Sequence, residues 1–419
     1  MKSNLGWKRL VENIFSLSVF QFASYGISFV MMPYLIQTLG IDGYGKIIYS
    51  FAIVSLVGLV VEYGFEIAAT KAVSVNRYQL NDIGDYISAV YIIKIFFLLI
   101  GFSFLLILTS FNSFSEYRDL IILSYVFVIA KAITPLWFLQ GLEEMKIVAV
   151  VNIITRMLYF VAVLLLIKHP DQLELVPLLN GISALVTGIY CLWYGLAFKG
   201  MSFARVSISK INEVVVDGFN IFISQISIAS LTHIVPFVLG FTSGSMAVGI
   251  YSAAEKIVQA VFGLYVPFQQ SFFPWITAHL KNEHLVGIKV LKRSIALLAI
   301  AMTVVGLLLH MFSEFIMALV TGESNPRSVE VFELLAFMPL LLCLNTFIGV
   351  QVLISLGKSK IYSRIVALSL PIGMALLFIL TPYLEEFGAA ISIMLTEAIV
   401  FLMLLRLGVK ELKYGRGSE

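Results

Sequence analysis

The chain has 419 residues, of which 60% are hydrophobic and only 13% are charged, and its formal net charge at pH 7 is +3. An average soluble domain carries about 25% charged residues, so this composition excludes an ordinary water-soluble fold and indicates helices surrounded by lipid. The small net charge and the lack of a basic tract argue against nucleic-acid binding.

Twelve segments are long and apolar enough to cross a bilayer, which takes about 20 helical residues. They are predicted at residues 13–36, 45–64, 86–110, 119–140, 147–167, 174–197, 215–241, 247–270, 291–312, 329–355, 362–383 and 387–407. Short polar connections join them. The sequence therefore predicts an all-α integral membrane protein without a large extramembrane domain.

Most of the 28 Lys and Arg residues fall on one side of the membrane when the N-terminus is placed in the cytoplasm. Cytoplasmic loops of membrane proteins carry this excess of basic residues. The pattern predicts a multi-pass membrane protein with both termini in the cytoplasm.

The two halves of the chain share short patterns at corresponding places. Leu39-Gly40 ends the predicted first helix as Leu239-Gly240 ends the seventh, and the glycines that follow are Gly45 and Gly249. These matches predict a parallel internal repeat of two six-helix bundles, 1–204 and 205–410, with a disordered cytoplasmic tail at 411–419. Transporters built from repeats bind their substrates near the bilayer midplane, at the interface of the repeats.

Three cations lie inside predicted spans of the first half: Lys94, Lys131 and Arg156. Charged side chains at membrane depth are costly and usually face a hydrated cavity or a partner. The three residues therefore predict a positive, water-filled cavity. Alternatively, Lys94 extends to the cytoplasmic surface, or the cations pair with Glu62 or Glu66.

Uncharged polar residues follow helical spacing in three predicted spans. The residues predicted to line a central cavity are Gln21, Ser24 and Ser28 in the first span, Asn220, Ser224 and Ser227 in the seventh, and Ser252 in the eighth. Such stripes also form plain helix–helix contacts in membranes, and this alternative stays open.

Acidic residues in the second half are candidates for ion coupling. They are Asp217 near the start of the seventh span, Glu255 in the eighth and Glu397 in the middle of the twelfth. A structural ion pair between Glu397 and Lys256 is an equally good interpretation.

No nucleotide-binding loop, metal-ligand spacing or hydrolase nucleophile motif occurs in the sequence. We therefore expect that the protein is not an enzyme, and we predict neither a cofactor nor a metal site. Uphill transport would then depend on an ion gradient or on consumption of the transported substrate.

Three tracts carry a resemblance to a known family. They are Leu39-Gly40-x-x-x-Tyr44-Gly45, the stretch from Trp137 to Met145, and the stretch from Gly249 to Lys256. With the twelve spans, they resemble the bacterial polysaccharide flippases of the multidrug/oligosaccharidyl-lipid/polysaccharide exporter superfamily.

The resemblance implies a flippase for an undecaprenyl-diphosphate-linked oligosaccharide, such as an O-antigen repeat unit. The substrate would move from the cytoplasmic to the periplasmic leaflet of the bacterial inner membrane by alternating access. Coupling to H⁺ or Na⁺, contact with membrane lipids and association with other polysaccharide assembly proteins are implied as well. The cations suit the anionic diphosphate.

Two other functions remain as alternatives. A multidrug/cation antiporter on the same fold would favour acidic groups in its cavity, which argues against it here. A membrane-embedded polysaccharide polymerase or glycosyltransferase would be expected to carry a larger extramembrane loop with catalytic residues.

Overall fold

The computed structural model describes the backbone of residues 2–77, 83–282, 284–322 and 325–414. Side chains are described for residues 29–77, 83–219, 222, 233–280, 285–322 and 325–408. Within these residues every regular element is a helix. The α-helices are α1 (Lys2–Glu62), α2 (Phe65–Val75), α3 (Gly84–Leu108), α4 (Asn112–Ser115), α5 (Arg118–Ile133), α6 (Leu136–Gly141), α7 (Met145–Leu166), α8 (Leu175–Phe198), α9 (Ile208–Asn282), α10 (His284–Met311), α11 (Ser313–Thr321), α12 (Pro326–Leu335), α13 (Met338–Thr346) and α14 (Ser359–Tyr414). A 3₁₀ turn covers Pro170–Gln172, and a π-helical segment covers Phe347–Ile354.

Nine helical stretches of the described residues are long and apolar enough to cross a membrane. Three of them, Phe29–Val75, His233–Leu280 and Ser359–Gly408, have 47, 48 and 50 residues. Ser359–Gly408 contains a bend at Glu385 and both predicted spans 362–383 and 387–407. The other two stretches begin inside a predicted span, but they belong to α1 and α9, which have 61 and 75 residues and each contain a bend. One crossing requires about 20 residues, so each of these helices is long enough for the two predicted spans over which it extends. The predicted all-α membrane architecture is confirmed, and the count of twelve spans is consistent with it.

Two of the bends are made by glycines with almost the same backbone angles. Gly40 in α1 has φ 77° and ψ 162°, and Gly244 in α9 has φ 84° and ψ 175°. Positive φ carries a steric cost that glycine avoids because it has no Cβ. Gly45 and Gly249 each follow five residues later. The sequence pattern matched Gly40 with Gly240, whereas the structure has the equivalent bend at Gly244. The similar bends support the internal repeat, which stays a prediction.

The chain forms two compact units by its internal contacts. One unit comprises Met1–Ile41 with Val238–Glu419, and the other comprises Asp42–Phe237. The predicted bundles 1–204 and 205–410 were defined by the sequence repeat, whereas these two units are defined by internal contacts. The division into two bundles therefore stays a prediction. Helix α14 continues to Tyr414, so the first four residues of the predicted tail are helical, and residues 415–419 lie outside the described part.

In the unit of residues 42–237, a break in the fourth predicted span shapes the interior. Helix α5 ends at Ile133, and Pro135 separates it from α6 because proline lacks the N–H that a continuing helix needs. The aromatic tract that follows is buried, with Trp137 at 1% exposure, and packs with Phe65 of α2 and Ile87 of α3.

Helix α8 packs closely against α5 because two glycines on α8 leave room for the facing helix. A Cβ added at Gly181 would lie 2.8 Å from the side chain of Val126, and one at Gly188 would lie 2.9 Å from the carbonyl oxygen of Ala130. Small residues commonly permit such close approach in membrane helices. This contact fixes the end of α5, which carries Lys131.

In the unit of residues 1–41 and 238–419, the core is formed by the second half of α9 together with α10, α13, the π-helical segment and α14. An ion cluster ties the start of α12 to the bend in α14. Arg327 Nη2 lies 2.5 Å from Glu385 Oε2, and Arg327 Nε lies 2.8 Å from Glu386 Oε1. Glu385 has φ 48°, which is unusual for a residue other than glycine, and the ion pairs stabilise this bend.

Candidate functional site

The unit of residues 42–237 contains a polar cavity of about 210 Å³. Lys94 from α3, Lys131 from α5 and Arg156 from α7 all line it. The structure therefore brings together the three cations that the sequence predicted as a set. The other polar residues of the lining are Glu62, Glu66, Thr134, Asn152, Thr155, Asn180, Ser183 and Thr187.

Lys94 is the most buried of the three cations, with 1% of its side chain exposed. Its ammonium group lies 3.4 and 3.5 Å from the two carboxylate oxygens of Glu62, the last residue of α1. Lys94 therefore does not extend to the cytoplasmic surface. The alternative that the sequence left open, a pairing with Glu62, is the arrangement found for this lysine.

Lys131 and Arg156 have exposed side chains and form no ion pair with a carboxylate of the described residues. Lys131 lies in the last turn of α5, where the partial negative charge of the helix end favours a cation. Both charges are therefore available to a ligand that enters the cavity.

Hydrogen bonds between α7 and α8 fix the wall beside Arg156. The hydroxyl oxygens of Thr155 and Thr187 lie 2.7 Å apart, and the Ser183 hydroxyl donates to the carbonyl oxygen of Thr155 at 2.9 Å. Because Thr155 precedes Arg156, these hydrogen bonds fix the position of the turn of α7 that carries the Arg156 side chain. The amides Asn152 and Asn180 line the same cavity and can bind hydroxyl or carbonyl groups.

Three cations face two carboxylates in this cavity, so its net charge is positive when all five groups are ionised. The charge and the neighbouring amides and hydroxyls suit an anionic ligand that also carries many hydrogen-bonding groups. Sequence reasoning named Glu62 and Glu66 only as alternative partners. Both residues lie near the end of the predicted span 45–64, and this position was the sequence signal that their carboxylates could line the cavity.

Most of the polar stripes lie outside the described side chains. This holds for Gln21, Ser24, Ser28, Asn220, Ser224 and Ser227, so their place in a central cavity stays a prediction. Ser252 is described, belongs to the other unit, is 1% exposed and does not line the cavity around Lys131.

The acidic candidates have different partners. Glu255 accepts a hydrogen bond from Gln259 Nε2 at 3.1 Å, one turn along α9. Glu397 accepts from Asn345 Nδ2 at 2.7 Å through Oε2 and at 3.0 Å through its carbonyl oxygen. Glu397 is thus paired with Asn345. The alternative interpretation, a structural ion pair between Glu397 and Lys256, is not the arrangement found. Sequence reasoning missed Asn345, although an amide inside an apolar span was a usable signal.

Asp217, the third acidic candidate, lies in the same unit as the cationic cavity but does not line it. Its side chain is exposed in α9. Asp217 and Glu397 therefore belong to different units and do not form one acidic cluster within either of them.

The sequence matches the family described as "Polysaccharide biosynthesis protein" over residues 10–280. Two curated relatives carry the name "Putative O-antigen transporter". The one from Escherichia coli (strain K12) is 26% identical over 397 residues, which is 94% of this chain and 96% of the relative. The one from Shigella dysenteriae is 24% identical over 404 residues, 94% of this chain and 99% of the relative.

Solved structures share the fold at low sequence identity. An inward-facing multidrug resistance MATE family transporter of the MOP superfamily superposes with a TM-score of 0.71 at 13% identity, covering 97% of this chain and 99% of that one. The lipid II flippase MurJ in an inward closed conformation has a TM-score of 0.68 at 14% identity, covering 94% and 87%. The chain therefore shares its fold with these two multi-pass membrane proteins, and the family match over more than half of the sequence shows that it belongs to the polysaccharide biosynthesis protein family.

Proposed function

We propose that this protein is a flippase for a lipid-linked oligosaccharide. Its substrate is an undecaprenyl-diphosphate-linked glycan, an O-antigen repeat unit or similar, which moves from the cytoplasmic to the periplasmic leaflet by alternating access. The observation that carries the proposal is the polar cavity among α3, α5 and α7, in which Lys131 and Arg156 have no carboxylate partner among the described residues. The names of the curated relatives and the fold shared with a lipid II flippase support it.

The chemistry of the cavity matches the two parts of such a head group. Arg156 can hold phosphate oxygens through two parallel N–H bonds, and Lys131 and Lys94 act as point charges. Asn152, Asn180 and the hydroxyls of the α7–α8 wall can bind sugar groups. The prenyl chain has no need of the polar cavity, because it remains in the hydrocarbon of the bilayer.

The location and orientation are part of the proposal. The protein lies in the bacterial inner membrane with both termini in the cytoplasm, as the distribution of basic residues supports. The relatives are named as transporters, which agrees with a transport function rather than an enzymatic one.

A multidrug/cation antiporter is the second candidate, because Glu62 and Glu66 could hold a cationic drug in the same cavity. The excess of cations over carboxylates favours the glycan lipid. Uptake of a cationic dye into vesicles distinguishes the two, because only an antiporter should move it.

The test of the proposed function is transport in proteoliposomes. Purified protein is reconstituted with a lipid-linked oligosaccharide that carries a radiolabelled sugar, and the labelled glycan in the inner leaflet is measured by its protection from a membrane-impermeant oxidant. We expect the protein to equilibrate the glycan between the leaflets, and to leave a glycolipid without the diphosphate in place. Equal movement of both lipids, or of neither, would contradict the proposal.

We further propose that an acid in the membrane couples transport to H⁺ or Na⁺, with Glu397 favoured over Glu255 and Asp217. Glu397 lies far from both ends of α14 and shares its carboxylate with the buried amide of Asn345. We expect flipping by the wild type to depend on an imposed pH or sodium gradient, and Glu397→Gln to remove that dependence. Glu255→Gln serves as the matched comparison. Flipping by the wild type at the same rate without any gradient would refute coupling.

A further inference from the structure

The cationic cavity contains a feature that an anion-binding site would be expected to avoid. Two carboxylates, Glu62 and Glu66, line it together with the three cations. A carboxylate beside a bound anion weakens binding through like-charge repulsion. Glu62 is also in direct contact with one of the cations, Lys94, and so competes with any anion for that charge.

The surroundings of Lys94 leave only one side from which its charge can be balanced. Lys94 also lines a second cavity, of about 350 Å³, whose lining is mainly apolar and includes Ile92, Ile95 and Leu98 but no acidic residue. The polar groups on that side already have partners. The Ser88 hydroxyl donates to Gly84 O at 2.9 Å, and the Tyr91 hydroxyl donates to Ile133 O at 2.9 Å.

A buried ammonium group needs a charge partner, because removing one partner of a buried pair leaves an uncompensated charge. For Lys94, that partner is Glu62 when the polar cavity is empty. An anion bound in the same polar cavity could replace Glu62 as this partner, whereas the second cavity has no acidic residue in its lining.

The contact between Lys94 and Glu62 is loose enough to be exchanged. Its distances of 3.4 and 3.5 Å exceed the 2.7–2.9 Å that is usual for a charge-assisted N–H···O bond. The Glu62 side chain is 21% exposed, whereas that of Lys94 is 1% exposed. Glu62 is the last residue of α1, and the two residues that separate it from α2, Tyr63 and Gly64, have φ of 44° and 74°, so the helix is interrupted directly after this carboxylate.

We propose that Glu62 is an intramolecular competitor that holds Lys94 in the empty cavity and yields it to the diphosphate of the bound lipid. The exchange compensates the charge of Lys94 in both states and limits the affinity for the substrate, so that the lipid can leave after it has been moved. This role rests on the proposed function, and Glu62 acts as a positioning residue for Lys94.

The experiment measures binding and flipping separately. Undecaprenyl diphosphate in detergent micelles is the binding probe, and the lipid-linked oligosaccharide in proteoliposomes reports flipping. We expect Glu62→Gln to bind the probe about tenfold more tightly, since Lys94 is then free, and to flip the glycan several-fold more slowly, since release is impaired. Glu144→Gln is the matched control, because it breaks a Lys–Glu pair with Lys199 outside the cavity, and it should change neither quantity.

The double variant Glu62→Gln/Lys94→Gln should lose the gain in affinity, because the freed cation is absent. If Glu62→Gln does not fold because Lys94 is left unpaired, Glu62→Asp is the second variant. It keeps the negative charge on a shorter side chain and should increase the affinity for the probe by a smaller factor. Unchanged or weaker binding by folded Glu62→Gln, with wild-type binding and flipping intact, would overturn the competitor role alone. Absence of probe binding by the wild type would instead count against the proposed function.

Discussion

The double variant Lys131→Ala/Arg156→Ala is expected to lose glycan export almost completely while the amount of protein in the membrane stays near that of the wild type. Both side chains are exposed in the cavity and have no carboxylate partner among the described residues, so their removal deletes no ion pair. A hydrogen bond to a charged group contributes about 1.5–3 kcal/mol. Loss of two such contacts to the diphosphate should reduce transport at least about a hundredfold.

Export is measured as surface glycan in cells that lack their own flippase, with protein abundance determined in the same membranes. Lys131→Arg, which keeps the charge, should retain partial activity. Arg205→Ala removes an exposed cation of the same unit outside the cavity and is the matched control. Intact export by the double variant would refute the cationic site. A collapse in abundance would show that the two residues are structural.

The substitution Gly249→Ala is expected to have the largest effect on stability. A Cβ at this position would lie 2.1 Å from the carbonyl oxygen and 3.0 Å from the carbonyl carbon of Ile41. These are backbone atoms next to the bend at Gly40, so they cannot move away as a flexible side chain would. Overpacking of a tight interior costs typically 1–3 kcal/mol, and we expect about 3 kcal/mol or more here.

The measurement is the free energy of unfolding of the purified protein in detergent, supported by the fraction that remains monodisperse on heating. Gly58→Ala is the control, because its Cβ would meet only the side chain of Val128, at 3.3 Å. Equal stability of the Gly249 and Gly58 variants would show that the backbones separate at little cost. The contact also explains why the tract from Gly249 to Lys256 begins with glycine.

Much of the architecture could be predicted from the sequence because the bilayer imposes strong and simple constraints. Apolar segments of about 20 residues form spanning helices, since an unpaired backbone group in lipid costs several kcal/mol. Pro135 ends α5 because it lacks an N–H. The same logic identified Lys94, Lys131 and Arg156 as a set, because charged groups at membrane depth must face water or a partner.

Partnerships between helices required the tertiary structure. Glu62 and Lys94 are 32 residues apart, and Asn345 and Glu397 are 52 apart, so no helical spacing relates them. Whether Lys94 extends to the membrane surface or pairs with Glu62 depends on how α1 and α3 pack. The sequence pattern does not specify this packing.

The sequence by itself determined that this protein is a helical membrane protein, and it predicted a positive cavity in the first half of the chain. The tertiary structure decided that, among the described residues, Lys94 has a carboxylate partner while Lys131 and Arg156 have none, and that the second bend falls at Gly244 rather than Gly240. The physical reason is that helix formation and membrane insertion depend on neighbouring residues along the chain. Charge pairing and close helix contacts depend instead on distances between segments that are remote in sequence.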